Sequence, residues 1–252
     1  MKIKQSLQRL GVMKQRLIGD NIVVHKDDLY RVWEERHLDR LFRRFEVDCV
    51  FDVGANIGQY AAMLREQVGY RGLIVSFEPN PESFRILQDA ARLDPKWVVE
   101  NLALSSASGE QTFNLMAGSQ FSSLSRPRHD DAPGFERDNS IVRTVRVATE
   151  TLGSAYGRLK DRFDFNRPFL KLDTQGFDVE ILRHGRDVVH GFVGLQSELS
   201  IRKLYEHSVD FRDAISFYEE LGFVLSAFVP NNEGHFPMLV ETDCIMVRKD
   251  LV

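Results

Sequence analysis

The stretch Cys49-Val-Phe-Asp-Val-Gly-Ala-Asn-Ile-Gly58 decides the fold class of this 252-residue chain. Residues 49–53 form an apolar run interrupted only by Asp52, which is typical of a strand buried on both faces of a parallel sheet. Gly54 and Gly58 then mark a tight turn, and apolar residues recur at helical spacing over 58–68. A buried strand, a glycine turn and a helix predict the first βα unit of an α/β sheet.

Beyond this unit, short apolar runs continue to alternate with helical patterns. Further strands are predicted over residues 73–77, 97–104, 145–147, 169–172 and 192–195, and helices after the N-cap Asn80, over 178–184 and over 211–221. Residues 223–229 and 244–247 predict a terminal hairpin around a turn at 231–234, which fits an antiparallel addition to a parallel sheet. The predicted fold class is a doubly wound, mostly parallel α/β sheet.

Composition limits the function classes. With 43% hydrophobic residues the chain can bury one sizeable core, and its formal net charge of -4 gives no global field for holding a nucleic acid. The two cysteines, Cys49 and Cys244, lie in apolar runs and do not form a disulfide framework. A reducing cytoplasm is therefore the expected location.

The N-terminal part of the chain has a different pattern from the rest. The sequence predicts a helical extension over residues 1–44 and one catalytic domain over 45–252. The first 19 residues carry five basic residues and no acid, with apolar residues at helical spacing. Such an amphipathic basic helix either covers the sheet or makes weak contact with an anionic membrane surface. Nothing in the pattern sets the oligomeric state.

Residues 117–143 interrupt the alternation of strands and helices with Ser, Pro, Asp, Arg and Gly. A loop of this length in a compact domain is either a disordered insertion or a functional lid. Both alternatives stay open at this point.

Polar side chains lie at or near the carboxyl ends of five predicted strands. These residues are Asp52, Glu78, Asn101, Asp173 and Glu198. Ligands of open parallel sheets bind outside the carboxyl ends of the strands, and a polar residue in a buried strand costs stability unless something uses it. The sequence therefore predicts a ligand site at this rim.

The spacing of the glycines indicates which ligand. Gly54 and Gly58 are spaced G-x-x-x-G, whereas a dinucleotide site needs G-x-G-x-x-G. Asp52 before the turn repels pyrophosphate and suits a cationic amino group. Glu78 lies 20 residues beyond Gly58, the expected distance for an acid that accepts hydrogen bonds from ribose hydroxyls. A nucleoside with an amino-acid tail, S-adenosylmethionine, meets both requirements.

At this point the chain resembles the FkbM-type methyltransferases. The resemblance covers roughly residues 45–248 and rests on the order of several motifs: Val50-Phe-Asp-Val-Gly-Ala-Asn-Ile-Gly58, Phe77-Glu-Pro-Asn-Pro81, Asn101-Leu-Ala-Leu104 with Gly109, Phe169-Leu-Lys-Leu-Asp-Thr-Gln-Gly176, Glu198-Leu199 and Thr242-Asp-Cys-Ile-Met246. It implies a seven-stranded class I methyltransferase fold with the last strand antiparallel. It also implies methyl transfer to oxygen, at a hydroxyl of a sugar, glycan or secondary metabolite.

The resemblance also assigns the residues of a cofactor site. Asp52, Gly54, Asn56 and Gly58 would hold the methionine end, Glu78 would bind ribose, and the segment from Asn101 to Ala103 would edge the adenine. Many members of the family have Asp-x-Glu-Gly after the fourth strand, whereas this chain has Asp173-Thr-Gln175-Gly176. The missing carboxylate weakens the case for a metal held by that pair, and no metal site is predicted.

Asp173 and Glu198 are the candidate catalytic residues. Methyl transfer from a sulfonium requires an aligned acceptor oxygen and a group that accepts its proton. Asp173 is predicted as base or orienter, with contact to the amino group of the cofactor as the alternative. Glu198 is the second candidate, and it would otherwise orient a neighbour or bind substrate. His129 and His207 are further candidates for the base by position.

Three other functions compete with methyl transfer to a small molecule or glycan. A non-catalytic module could keep the nucleoside pocket without activity. An NAD-dependent oxidoreductase is disfavoured by the glycine spacing. An RNA methyltransferase is disfavoured by the acidic balance and by the lack of an Asn-Pro-Pro-Tyr-type base clamp.

Overall fold

The computed structural model describes residues 29–131, 134–230 and 237–252. Its strands are β1 Cys49–Val53, β2 Leu73–Phe77, β3 Trp97–Glu100, β4 Ala103–Leu104, β5 Gly109–Met116, β6 Ile141–Glu150, β7 Pro168–Leu172, β8 Gly194–Ser200, β9 Phe223–Pro230 and β10 Glu241–Arg248. Its α-helices are α1 Leu29–Arg44, α2 Gln59–Met63, α3 Pro81–Ala91, α4 Leu152–Arg162, α5 Asp178–Arg183 and α6 Phe211–Glu220.

A seven-stranded sheet in the order β3-β2-β1-β7-β8-β10-β9 forms the centre of the fold. β1 is fully buried and pairs in parallel with β2 on one side and β7 on the other. β10 runs antiparallel between β8 and β9. The predicted mostly parallel sheet with an antiparallel terminal hairpin is confirmed.

Helices cover both faces of this sheet, each over its own apolar core. One core joins the sheet to α4, α5 and α6 and contains a cluster of aromatic rings around Phe51. The other core joins the opposite face to α1, α2 and α3. Side chains of alternate residues in each strand supply the two cores, as the pleat requires. This three-layer arrangement is the doubly wound architecture that the sequence predicts.

A second sheet of three strands, in the order β4-β6-β5, was not foreseen from the sequence. The prediction of one strand over 97–104 is wrong, because that segment divides into β3 of the large sheet and β4 of the small one. Asn101 lies at the break, where its side-chain amide donates to the backbone oxygens of Glu78 and Pro79. The short strand predicted at 145–147 is the middle of β6, which pairs antiparallel with β5.

The first predicted helix changes its winding partway. Residues 59–63 are α-helical, but Leu64–Val68 form a π-turn that ends at Gly69, whose φ is +74°. The next helix begins as predicted, since the side-chain oxygen of Asn80 accepts a hydrogen bond from the backbone N–H of Glu82 at 3.0 Å. Correct capping chemistry thus locates α3, whereas apolar spacing alone does not reveal the π-turn.

The boundaries of the fifth strand of the parallel series differ from the prediction. The strand β8 begins at Gly194 and ends at Ser200, so Glu198 lies inside it and not after it. β8 is longer than predicted because β10 pairs with it antiparallel over Gly194–Ser200, with Glu198 opposite Asp243.

Some predictions fall on other parts of the chain. The basic helix over residues 1–19 and the turn at 231–234 lie outside the described residues.

Helix α1 packs Leu38, Leu41 and Phe42 into the second core. The domain boundary between residues 44 and 45 stays a prediction. Within the described ranges, the helices are too short or too polar to cross a bilayer.

The turn after β1 packs directly against the turn after β7. A Cβ atom added to Gly54, whose φ is +80°, would lie 1.9 Å from the backbone oxygen of Asp173. Gly69 has a similar φ of +74° and open space around its missing side chain. Substitutions at Gly69 and Gly54 therefore distinguish the cost of backbone strain alone from the cost of strain plus steric overlap.

We expect Gly69→Ala to lower the free energy of unfolding by about 1–2 kcal/mol, the cost of a left-handed residue with a Cβ. Gly54→Ala should lower it by about 1–3 kcal/mol more, because the two turns must also move apart. Urea denaturation of the ligand-free protein measures both values. Equal losses would show that the two turns do not constrain each other.

Candidate active site

A cavity of about 680 Å³ opens at the carboxyl ends of the parallel strands. Its volume falls within the range of about 300–1,000 Å³ that small-molecule sites occupy. The turn after β1, the ends of β2 and β8, the turn after β7 and the start of β10 all contribute to its wall. Because β10 is antiparallel, its first residues reach the same rim as the last residues of its neighbours.

Most of the predicted site residues line this one cavity. Gly54, Asn56, Glu78, Ala103, Asp173 and Glu198 are all in its wall. The structure therefore brings together side chains that lie up to about 150 residues apart in the sequence. Their individual roles stay predictions.

Three predicted residues lie outside the wall. Asp52 is fully buried behind Lys171. Gly58, with φ +95°, faces the ring of Trp97, so its missing side chain serves packing. Asn101 holds the end of β2 through its two bonds to backbone oxygens.

Glu78 is held by the turn that follows β1. Its two carboxylate oxygens each accept a backbone N–H bond of 2.7 Å, from Asn56 and from Asn80. The side chain is only 5% exposed, and burial raises its pKa to about 7 in spite of these bonds. A carboxylate oxygen has a second acceptor site, so each oxygen can also accept a hydroxyl of a ligand.

Asn56 has the left-handed φ of +49° that is uncommon for a residue with a side chain. Its buried Oδ1 atom has no hydrogen-bond partner among the described residues. An unpaired buried oxygen at a cavity wall costs free energy, which a donor on a bound ligand would recover. This atom fits the amino-acid end of the expected cofactor.

Apolar side chains line the part of the wall near Ala103. They are Leu104, Phe113, Leu124 and Phe177, and none of these four lies in the segment from Asn101 to Ala103 that the resemblance assigned to adenine. A flat aromatic base needs such a slot on its faces. The residues present therefore fit an adenosyl group, with Glu78 for the ribose and the slot for the base.

A row of polar residues crosses the sheet behind the cavity. Ser76, Asp52, Lys171 and Gln196 are register neighbours on β2, β1, β7 and β8. Ser76 donates to Asp52 at 2.9 Å and accepts from Trp97 Nε1 at 2.9 Å. Sequence reasoning noticed only Asp52, although Ser76 and Lys171 also interrupt apolar strands.

Lys171 is the cation of this row. Its Nζ lies 3.0 Å from Asp173 Oδ2 and 3.9 Å from Asp52 Oδ1, and 5.2 Å from the centre of the Tyr60 ring. Burial lowers the pKa of Lys171, but the carboxylates of Asp173 and Asp52 outweigh this effect, so the net shift is upward. Lys171 is therefore an ammonium ion that fixes Asp173.

Glu198 is one of a group of acids in the wall of the cavity. Burial raises its pKa well above the usual value, and Glu241 and Asp173 add to the shift through like charge. Burial and neighbouring acids likewise raise the pKa of Glu241 to about 8 and that of Asp243 to about 7. Burial and like charge thus give Glu198 a higher proton affinity than an ordinary carboxylate.

The two histidine candidates lie outside the cavity wall. His207 bonds Ser125 Oγ through Nδ1 at 2.9 Å and packs on Phe177. His129 bonds the backbone oxygen of Asn139 at 3.0 Å. The contact of His207 holds the segment 117–131 against the rest of the fold, and the contact of His129 joins two parts of the loop 117–143. Ser119, Gln120, Phe121 and Ser122 of that segment line the cavity, so it forms part of the site.

In the part of the chain that the structure describes, no group of three or more His, Cys, Asp or Glu residues is arranged to hold a metal ion.

The family model named Methyltransferase FkbM domain matches residues 52–225, well over half of the chain. Among curated proteins, no sequence matches.

Solved structures give distant likenesses. Methyltransferase FkbM from Methylobacillus flagellatus KT is 15% identical over 80% of this chain and 44% of its own, with a TM-score of 0.47, so this chain spans less than half of that protein. Magnesium protoporphyrin IX methyltransferase from Synechocystis PCC 6803, with bound SAM, is 10% identical over 93% of this chain and 88% of its own, with a TM-score of 0.46. Aeropyrum pernix fibrillarin, with natively bound S-adenosyl-L-methionine, is 14% identical over 94% and 86%, with a TM-score of 0.47.

The resemblance noted in the sequence is therefore confirmed by the match to the family model. The methyl donor of that family is S-adenosylmethionine, which confirms the expected cofactor at the level of the family. The chain belongs to the FkbM methyltransferase domain family.

Proposed function

We propose that this protein transfers the methyl group of S-adenosylmethionine to a hydroxyl oxygen of a sugar, a glycan or another hydroxylated metabolite. One observation carries the proposal. The predicted ribose acceptor Glu78 and the predicted catalytic pair Asp173 and Glu198 line the same cavity. A site that binds the nucleoside and presents a base beside it meets the requirements of methyl transfer.

Residues of three strand ends would hold the cofactor. Glu78 accepts the ribose hydroxyls, and the slot that includes Phe113 and Phe177 takes the adenine. Gly54 and Asn56 approach the methionine end, with the unpaired Oδ1 of Asn56 as an acceptor for its amino group. When bound, S-adenosylmethionine supplies a methyl group on a positively charged sulfur, so that the transfer to oxygen is a displacement.

Asp173 and Glu198 take different roles in this proposal. Both oxygens of Asp173 already accept hydrogen bonds, from Lys171 Nζ at 3.0 Å and from Gln175 Nε2 at 2.9 Å. An acid whose two oxygens are held in this way suits an orienting role toward a cation. Glu198, whose pKa burial raises, suits the general base that removes the proton of the acceptor hydroxyl.

The charge of the cavity wall favours a neutral or amine-bearing acceptor. Beyond Glu78 and Asp173, the acids in the wall are Glu34, Glu35, Glu66, Glu198, Glu241 and Asp243. The cations in the wall are Arg31 and Lys171, and Lys171 is already neutralised by Asp52 and Asp173. Carboxyl groups accept hydrogen bonds from hydroxyl groups in either protonation state, whereas a phosphate or carboxylate on the acceptor would meet like charge from those wall acids that are ionised.

The same charge argument disfavours nucleic acid as the acceptor. We also propose a cytoplasmic location, because the two cysteines are buried free thiols. Contact of the basic residues 1–19 with an anionic membrane surface stays part of the proposal, as does a small molecule or glycan as partner.

The first test is ligand choice and the role of Glu78. Titration calorimetry should show binding of S-adenosylmethionine and none of NAD. Glu78→Gln should weaken S-adenosylmethionine about 10- to 100-fold, because hydrogen bonds to a charged acceptor contribute about 1.5–3 kcal/mol. Glu82→Gln is the matched control, since Glu82 is exposed at the start of the next helix and pairs with Arg143. Binding of NAD alone, or equal affinity of both variants, would refute the proposal.

A second test is the pH dependence of binding. Burial raises the pKa of Glu78 to about 7, and ribose hydroxyls donate to its ionised form. Affinity should therefore fall as the pH drops below 7, by up to tenfold per unit where binding releases one proton. Calorimetry with S-adenosylhomocysteine at pH 5.5–8.5 measures the slope. A slope that persists in Glu78→Gln would assign the titration to another acid, such as Asp243 or Glu241.

A third test concerns the acceptor. The release of S-adenosylhomocysteine is measured with matched sugars that are neutral, amine-bearing or phosphorylated. Neutral and amine-bearing sugars should support turnover at least tenfold better than their phosphorylated counterparts. Glu198→Gln should abolish most of this turnover and leave S-adenosylmethionine binding within a few-fold of the unmodified protein. A preference for the phosphorylated sugars would contradict the assignment of the acceptor.

A further inference from the structure

Gln175 lies between the two candidate catalytic acids. Its Nε2 atom is 2.9 Å from Asp173 Oδ1 and 3.1 Å from Glu198 Oε2. A side-chain amide nitrogen has two N–H groups, so it can donate one to each carboxyl group. One neutral side chain therefore joins an acid of the β7 turn to an acid of β8.

The orientation of this amide is set from both ends. Tyr205 donates its hydroxyl to Gln175 Oε1 at 2.8 Å, with the backbone oxygen of Phe121 as a second acceptor at 2.9 Å. At the other end, Asp173 pairs with Lys171 through Oδ2, and its Oδ1 accepts the hydrogen bond from Gln175 Nε2. The reverse orientation would point the amide oxygen at a carboxylate.

The backbone of Gln175 is held in a conformation that favours glycine. Its φ is +56°, and its backbone oxygen accepts a hydrogen bond from Ser123 Oγ at 2.9 Å. The preceding backbone N–H of Thr174 donates to Asp178 Oδ1 at 2.9 Å. A left-handed residue with a side chain costs about 1–2 kcal/mol. The chain tolerates this cost at a position where the side chain, and not only the turn, is used.

We propose that Gln175 is a positioning residue that holds Asp173 and Glu198 as one hydrogen-bonded unit facing the sulfonium end of the cofactor. In this unit Asp173 is held in place by Lys171, and Glu198 is the acid that takes up and releases the proton. The inference rests on the proposed function, because it places the donor sulfur at this wall of the cavity. It goes beyond that function in assigning a role to Gln175, which the proposed function leaves without one.

The charges around Glu198 explain why an amide suits this position. The acids that face Glu198 are Asp173 after β7, Asp178 in α5, and Glu241 and Asp243 in β10. Lys171 is the cation beside Asp173, and Tyr205 is the other titratable group of the network. A glutamate at position 175 would add a further carboxyl group within hydrogen-bond distance of two others. The amide instead donates to both and favours their ionised forms.

The affinity for S-adenosylmethionine relative to S-adenosylhomocysteine tests the proposal without an acceptor. Only the first ligand has a positive sulfur, so the ratio of the two affinities reports the negative charge that faces it. Calorimetry from pH 5.5 to 9 should show this ratio rising as Glu198 ionises. Glu198→Gln should remove most of the rise, which identifies the titrating group.

Gln175→Met keeps the length of the side chain and removes its hydrogen bonds. It should move the midpoint of the rise about one pH unit higher, because the carboxylate loses a donor. Gln175→Glu should move it further, because it adds like charge. Tyr205→Phe should produce a smaller shift in the same direction and remains informative if a change at 175 prevents folding. Gln59→Met is the matched control, since Gln59 lines the same cavity and is exposed.

An unchanged midpoint in Gln175→Met and Tyr205→Phe, with both variants folded by thermal unfolding, would overturn the role of Gln175. The failure of the proposed function has a different signature. In that case the unmodified protein would bind neither ligand, and no midpoint could be measured.

Discussion

The ammonium of Lys171, buried between Asp52 and Asp173, is the interaction on which the site depends. Moving a charge into a protein interior costs several kcal/mol unless it is paired and hydrogen-bonded. Lys171 meets this cost with one carboxylate at 3.0 Å and another at 3.9 Å. The pairing is built into the register of the sheet, because Lys171 and Asp52 are direct neighbours on β7 and β1. The central strands therefore cannot slip relative to each other without exposing an unpaired buried charge, and the turn that carries Asp173 is fixed as a result.

The arrangement of side chains in the cavity wall follows from this ion pair. Asp173, held by Lys171, offers its other oxygen to Gln175, and Gln175 reaches Glu198 on the next strand. On the other side, Asp52 accepts from Ser76, and the turn after β1 delivers the backbone N–H of Asn56 to Glu78. The acidic wall of the cavity is thus joined to the central strands through Lys171, whereas Glu78 is held by the backbone of the turn after β1. Fixed polar groups of this kind need little reorganisation when a ligand binds, which is the condition for efficient catalysis.

Much of the fold could be predicted from the sequence, because apolar runs of five residues and a good N-cap are local signals. The strand Leu73–Phe77 and the start of the helix at Pro81 are examples. Sequence reasoning failed where the deciding contact is distant. The division of 97–104 depends on a bond from Asn101 to Glu78, and the length of β8 depends on its pairing with β10. Three members of the polar row, Ser76, Asp52 and Lys171, were visible as interruptions of apolar strands. Their alignment was not, since register between non-consecutive strands has no local signature.

The site shows the same division between local and distant information. Glu78 could be placed by its distance from Gly58 along the chain, a spacing that the βα unit imposes. In the sequence, Gln175 stood out only because it departs from the Asp-x-Glu-Gly motif. That departure weakened the case for a metal site but did not indicate any role for Gln175. Its two donors acquire a meaning when Glu198 arrives from β8 and Tyr205 from the segment beyond it. A residue that acts by joining two others cannot be recognised before the positions of both are known. Positioning residues are therefore the part of a site that is hardest to recognise from a sequence motif, even when the motif includes them.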